Sequence, residues 1–141
     1  MNSQYLFVYG TLKSDAINVH AKQFHAQAQL IGAAMWQGCL YLVTNYPAAV
    51  ASSNPQDRVM GELWKLNDSE LVLKALDEYE ECAPGSPLPH EYERLIQPIE
   101  INGQVIQAWI YVYLLSTAEL VKIDSGLFIN QNQKLLRRSV Q

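Results

Sequence analysis

Apolar residues along this chain come in short runs with the alternation or the aromatic and β-branched make-up of strands, and once in a stripe with helical spacing. The first run, Tyr5 to Leu12 (YLFVYGTL), begins as a buried strand and ends at Gly10, where the chain can turn without a Cβ penalty. Residues 13–28 are polar and alanine-rich, with a weak helical stripe that fits a short helix or structured loop. From Gln29 the text LIGAAMWQGCLYLV predicts a long strand, bulged or bent at Gly32 and Gly38, followed by a turn at Asn45, Tyr46 and Pro47. Residues 58–66 alternate in period two, with Val59, Gly61, Leu63 and Lys65 on one side and Met60, Glu62, Trp64 and Leu66 on the other. The clearest helix covers residues 68–80: Asn67 is the expected N-cap, Glu70 completes a capping box, and Val72, Ala75, Leu76 and Tyr79 form the apolar stripe. After the proline-rich loop CAPGSPLPH, the strands HEYERLIQPIEI and QVIQAWIYVYLL meet at an Asn102-Gly103 hairpin turn, with Pro98 marking an edge or bulge. Residues 116–141 read as a short helical turn, a Ser125-Gly126 loop and a polar tail.

Strands in runs, joined by hairpins and interrupted by one good helix, predict an α+β fold with a mainly antiparallel sheet, and the glycine kinks suggest curling into a small barrel. The length predicts one domain over residues 1–141, and 49% apolar against 17% charged residues predicts a compact one. A net charge of -4, with no basic stripe outside KLLRR at residues 134–138, excludes a general role on nucleic acid or on an anionic membrane. The N-terminal apolar run follows no positively charged region and is too short to span a bilayer, so a cytoplasmic protein is expected. Cys39 and Cys82 lack C-x-x-C spacing and are read as free thiols; His20, His25 and His90 are scattered, so no metal site is expected.

Two stretches carry candidate chemistry. Successive backbone N–H groups at Gly10, Thr11 and Leu12 can form a concavity for a carboxylate or phosphate, against the plainer reading of an ordinary turn after a core strand. The sequence LDEYEE places Asp77, Glu78, Glu80 and Glu81 in the last helical turn, where the macrodipole disfavours negative charge. The helical wheel puts Glu78 and Glu80 at the two borders of the apolar stripe. A carboxyl beside the core acquires the raised pKa that a general acid/base near neutral pH requires. A solvated acidic face is the simpler reading of Asp77, Glu78 and Glu81, and Glu80 stands open between the two.

Six segments occur in order: YGTL at Tyr9 to Leu12, GCLYLVTNYPA at Gly38 to Ala48, MGELWKL at Met60 to Leu66, LDEYE at Leu76 to Glu80, EYER at Glu91 to Arg94 and AWIYVY at Ala108 to Tyr113. Together they resemble the gamma-glutamylcyclotransferase-like family, which includes gamma-glutamylamine cyclotransferases and plant avirulence-induced proteins, over the chain to about Gly126. The resemblance implies a small mixed barrel with flanking helices. It implies a substrate loop at Tyr9, Gly10, Thr11 and Leu12 acting through backbone groups, and Glu80 rather than Glu78 as the acid/base. The chain departs from the family at Glu81, where glycine is usual, and at Leu127 and Phe128, where an acid and tryptophan often follow Ser-Gly.

The implied reaction is attack of a substrate α-amine on its own γ-glutamyl amide, releasing 5-oxoproline and an amine or amino acid without cofactor or metal. The implied partner is a small γ-glutamyl substrate; the charge pattern leaves nucleic acid and membrane aside, and of the oligomeric states, which the sequence does not fix, a monomer is favoured. Two rival readings are a module that binds a small amino-acid-like ligand without turnover, and a stress-associated protein that presents its acidic helix end to another protein. Residues 13–28 and 82–90 are the expected outer wall of the pocket. Arg94, Tyr92, Tyr111 and Tyr113 are read as packing and strand partners.

Overall fold

The computed structural model describes residues 2–130, so the KLLRR segment and the expected polar tail lie outside the described residues. Its elements are β1 (Tyr5–Val8), α1 (Val19–His25), β2 (Ala28–Leu42), β3 (Pro47–Ala51), β4 (Arg58–Leu66), α2 (Ser69–Tyr79), β5 (Tyr92–Ile101), β6 (Gln104–Tyr113) and β7 (Val121–Lys122). The strands run in the order β2-β4-β1-β6-β5, and Met35 of β2 pairs with Glu100 of β5 to close the ring. Every pairing in this barrel is antiparallel except β1 with β6, which is parallel at Leu6 and Trp109. The fold is therefore the expected α+β class, a mixed and mainly antiparallel barrel with two helices outside it. β2 runs on past the barrel to pair with β3 and β7.

Strand alternation sorts the core into two clusters. Phe7 of β1, Tyr9 just after it, Trp36, Val59, Leu63, Ile99, Ala108 and Ile110 come from inward positions and fill the barrel. Leu6, Val8, Trp64, Leu66, Tyr111 and Tyr113 face the other way and pack against Phe24 of α1 and Val72, Leu73 and Leu76 of α2. The period-two reading of residues 58–66 thus describes a strand between two apolar layers. Gly61 is demanded by the closeness of β1: a Cβ there would lie 2.3 Å from the Val8 carbonyl oxygen and 2.7 Å from the Phe7 ring.

Several expectations need adjustment. The register shift between Leu30 and Gly32 is the predicted bulge, whereas Gly38 is where β2 leaves β4 for β3, with no bulge. The N-cap of α2 is Asp68, one residue beyond Asn67: its carboxylate accepts from the Leu71 N–H at 3.2 Å. Ala75 is exposed and Leu73 is buried in its place. The expected helical turn after residue 116 is instead a turn leading into β7, because Val121 and Lys122 find free edge positions on β2 opposite Leu42 and Tyr41. The Asn102-Gly103 hairpin forms as expected, both residues with positive φ, and Pro98 sits in regular register opposite Gln107 on a stretch of β5 paired only with β6.

The end of α2 matters most for function. Glu81 takes φ 57°, the Glu81 N–H donates to the Glu78 carbonyl and the Cys82 N–H to the Asp77 carbonyl. This is a Schellman motif with Glu81 at the left-handed position that glycine normally fills. Left-handed backbone costs a residue with a Cβ about 1–2 kcal/mol. Glu81→Gly is therefore expected to raise stability by about 1 kcal/mol in thermal or denaturant unfolding, while Glu81→Val, β-branched at the same φ, lowers it. Equal stability of all three proteins would show that the helix end carries no backbone strain.

Candidate active site

β1 delivers its C-terminal end to a cavity of about 370 Å³ lined by Tyr9, Gly10, Thr11 and Leu12, by Asn45, Tyr46 and Pro47, by Tyr79, Glu80 and Glu81, and by Glu91, Tyr92 and Tyr111, with Phe7 and Val8 at its floor. The loop after β1 and the end of α2, singled out separately in the sequence, thus face one space. The expected outer wall does not line it. Residues 13–28 and 82–90 pack elsewhere, and Asn45 to Pro47 and Glu91 stand there instead, because the turn between β2 and β3 and the start of β5 come out at the same end of the barrel as β1.

Gly10 owes its place to space more than to backbone freedom. A Cβ on it would come within 2.6 Å of the Pro47 ring across the cavity mouth. Among the described residues, the backbone N–H groups of Gly10, Thr11 and Leu12 donate no hydrogen bond, while the Lys13 N–H turns back to the Gly10 carbonyl at 3.1 Å. The Tyr9 hydroxyl is committed to the scaffold: it donates to the Tyr111 carbonyl at 2.6 Å. Burial raises its pKa well above the ordinary tyrosine value, followed by the nearby Glu80 charge. Tyr92 is held similarly, donating to the Pro47 carbonyl at 2.7 Å. The Thr11 and Tyr79 hydroxyls lie 2.9 Å apart and join the loop to α2.

The four carboxylates at the helix end separate by direction. Glu78 is exposed and outside the cavity; Glu81 is exposed at its edge, so Glu80 is not alone among the four in lining it. Asp77 does not belong to a solvated face. Arg94 binds it through two N–H groups at 2.7 and 2.9 Å, and the Tyr111 hydroxyl donates to it at 2.6 Å. The Arg94 guanidinium lies 4.2 Å from the centre of the Trp109 ring. Arg94 and Tyr111 are thus more than strand partners, since they anchor the helix end to β5 and β6.

Glu80, the C-cap of α2, makes no side-chain hydrogen bond among the described residues. Burial raises its pKa from 4.5 to about 8, helped by the negative charges of Glu91 and Asp77. Glu91 accepts a hydrogen bond of 2.5 Å from the Tyr46 hydroxyl, and burial together with that bond pushes the Tyr46 pKa up. Glu91 and Tyr46 are site residues that sequence reasoning missed. They lie in two of the six family-like segments, yet neither hydrophobic periodicity nor helical spacing marks a residue beside a turn as pocket-facing.

A raised carboxyl pKa makes folding depend on pH with a definite sign. Between about pH 4.5 and 8 the folded protein keeps a proton on Glu80 that the unfolded chain has lost, so stability falls as pH rises and levels off above the folded pKa. Glu80→Gln, neutral at every pH, escapes this loss. Its stability relative to wild type is expected to grow from pH 5 to pH 8 and stay constant above, as read by denaturant midpoints; a difference independent of pH would place the Glu80 carboxyl in an ordinary solvated environment.

No curated protein matches the chain. Among solved structures, YkqA from Bacillus subtilis aligns with 25% identity and TM-score 0.66 over 96% of this chain, which spans 42% of that protein. The protein ytfP from Escherichia coli aligns with 27% identity and TM-score 0.60, covering 91% of this chain and 98% of its own. An AIG2-like protein from Mus musculus shares the fold at 22% identity and TM-score 0.67, over 90% of this chain and 95% of its own. The family model described as gamma-glutamyl cyclotransferase, AIG2-like, matches residues 6–130, and the chain belongs to that family.

Proposed function

We propose that this protein is a γ-glutamyl cyclotransferase that converts a γ-glutamyl amide into 5-oxoproline and a free amine or amino acid. The observation that carries this reading is the pairing, in one cavity, of loop N–H groups without acceptors and a desolvated Glu80 carboxyl without a donor among the described residues. A γ-glutamyl compound offers the complement of both. Its α-carboxylate accepts from the Thr11 and Leu12 N–H groups, and its α-ammonium donates to Glu80. This grip bends the glutamyl chain so that the α-nitrogen meets the γ-carbonyl carbon, the orientation effect an intramolecular cyclisation needs.

Glu80 then moves protons. Arrival of the ammonium places a positive charge beside it and favours its ionised form. An α-ammonium loses its proton at a pKa of about 8 or above, and a carboxylate whose own pKa has been raised toward that value accepts it at less cost than an ordinary carboxylate. The freed amine attacks, the new C–N bond forms, and the protonated Glu80 returns a proton to the departing nitrogen as the old C–N bond breaks. Over the whole reaction the α-nitrogen sheds two protons and the departing nitrogen gains two, leaving as an ammonium, so neither water nor an external acid is consumed. Tyr9, with its hydroxyl committed to the barrel, fixes the start of the loop.

Incubation with a panel of γ-glutamyl amides and peptides, scored for 5-oxoproline, tests the activity. The acid limb of kcat/KM is expected to rise through pH 8, reporting Glu80 in the free enzyme. Glu80→Gln is expected to lower turnover by about 10²- to 10⁴-fold, near the upper end because one group serves both transfers, and to abolish that limb, with ligand binding weakened only by about the 10-fold of one charged hydrogen bond. Wild-type turnover in Glu80→Gln would move the acid/base role elsewhere. Binding without turnover of any γ-glutamyl compound by the wild type would favour a binding module.

A further inference from the structure

The N–H groups of the loop are unpaired among the described residues, but its carbonyl groups are not. Asn130 Nδ2 donates to the Gly10 carbonyl at 3.2 Å, beside the Lys13 N–H at 3.1 Å, Asn18 Nδ2 donates to the Thr11 carbonyl at 2.8 Å, and His25 Nε2 lies 2.9 Å from the Leu12 carbonyl. None of the three side chains lines the cavity. They come from the segment after β7, the N-cap of α1 and the last residue of α1.

A trans peptide is planar, so the carbonyl of one residue and the N–H of the next point in opposite directions. Holding the Gly10 carbonyl from behind aims the Thr11 N–H forward, and holding the Thr11 carbonyl aims the Leu12 N–H forward. These are two of the N–H groups that lack an acceptor among the described residues. We infer that Asn18 and Asn130 are positioning residues that lock these two peptide planes and so set a pair of N–H donors for a substrate carboxylate; the inference rests on the cyclotransferase reading for what that carboxylate belongs to.

Both amides are themselves pinned. Asn18 Oδ1 caps α1 by accepting from the Ala21 N–H at 2.8 Å, which leaves its Nδ2 to face the loop. Asn130 Nδ2 also donates to Asp15 Oδ1 at 2.8 Å, and the buried Lys13 ammonium donates to the Phe128 carbonyl at 2.6 Å, so residues 128–130 are fastened to the loop at two points. Residues far apart in sequence thus grip the loop at its back. Preorganised donors of this kind do not have to be oriented at the moment of binding, so their loss appears chiefly in affinity.

The test uses the full chain with L-5-oxoproline as carboxylate probe, followed by the Thr11 and Leu12 amide resonances in ¹⁵N–¹H spectra, alongside steady-state turnover. Asn18→Ser retains a good N-cap and neutrality but is too short to cap the helix and also reach the Thr11 carbonyl; Asn130→Ala removes the second grip without touching α1. In wild type both amides are expected to shift on titration. Each variant is expected to bind about 10-fold more weakly, one charged hydrogen bond's worth, with the free-state resonance of Leu12 displaced in Asn18→Ser and that of Thr11 in Asn130→Ala, and with KM raised more than kcat is lowered. Wild-type affinity and unchanged amide resonances in both folded variants would overturn the inference, as would Thr11 and Leu12 amides that do not respond to the probe in the wild type. If the wild type binds the probe and the variants weaken it, yet no γ-glutamyl compound is turned over, the positioning role stands and the cyclotransferase reading falls.

Discussion

The carboxylate of Asp77 is the joint on which the site depends. Two N–H groups of Arg94 and the hydroxyl of Tyr111 converge on it, and these residues belong to β5 and β6, the hairpin that closes the barrel beside β1. A bidentate, charge-assisted pair with a further hydroxyl donor fixes direction as well as distance. Three residues on, Glu80 inherits that direction, and the Schellman turn at Glu81 and Cys82 stops the helix before it passes the cavity. An acidic helix terminus that the macrodipole disfavours becomes intelligible: one carboxylate is the anchor, one faces the cavity, and Glu78 and Glu81 remain exposed.

Around that joint the cavity is built from groups whose polarity is already spent. The hydroxyls of Tyr9 and Tyr92 bind backbone carbonyls, and burial, with smaller contributions from neighbouring charges, keeps both neutral at any physiological pH. The Tyr46 hydroxyl is taken by Glu91. Glu80 and the loop N–H groups are not spent in this way among the described residues, and they are of opposite character: an acceptor when ionised and a set of donors. A pocket that sets one against the other is suited to a small zwitterion more than to an extended polymer or an apolar ligand.

Much of this was legible in the sequence, for physical reasons that differ by element. The hairpin at Asn102 and Gly103 was readable because the turn requires two positive φ angles and the residues advertise it. The strand at residues 58–66 was readable because its alternation is nearly unbroken, and α2 because its N-cap falls within one residue and Val72 and Leu76 of its stripe are buried. Glu80 and Glu78 were inseparable by helical wheel alone, since both border the stripe; the family-like segments separated them. The grip of Asn18 and Asn130 on the loop, the Asp77–Arg94 pair and the pocket positions of Tyr46 and Glu91 were not legible. Each depends on contacts between residues 7 to 120 positions apart that leave no local pattern. Residues 13–28 were assigned to the pocket wall as variable loop, but α1 instead spends Phe24 on the outer core cluster and His25 on stacking with Trp64.

The site turns on a carboxyl that holds its proton near neutrality inside a cavity. Titration of the Glu80 side-chain carboxyl by ¹³C NMR, assigned by its disappearance in Glu80→Gln, measures that property without reference to any substrate. A midpoint near 8 is the result expected from its burial beside Glu91 and Asp77; a midpoint near 4.5, the value of a solvated glutamate, would contradict the account at its centre.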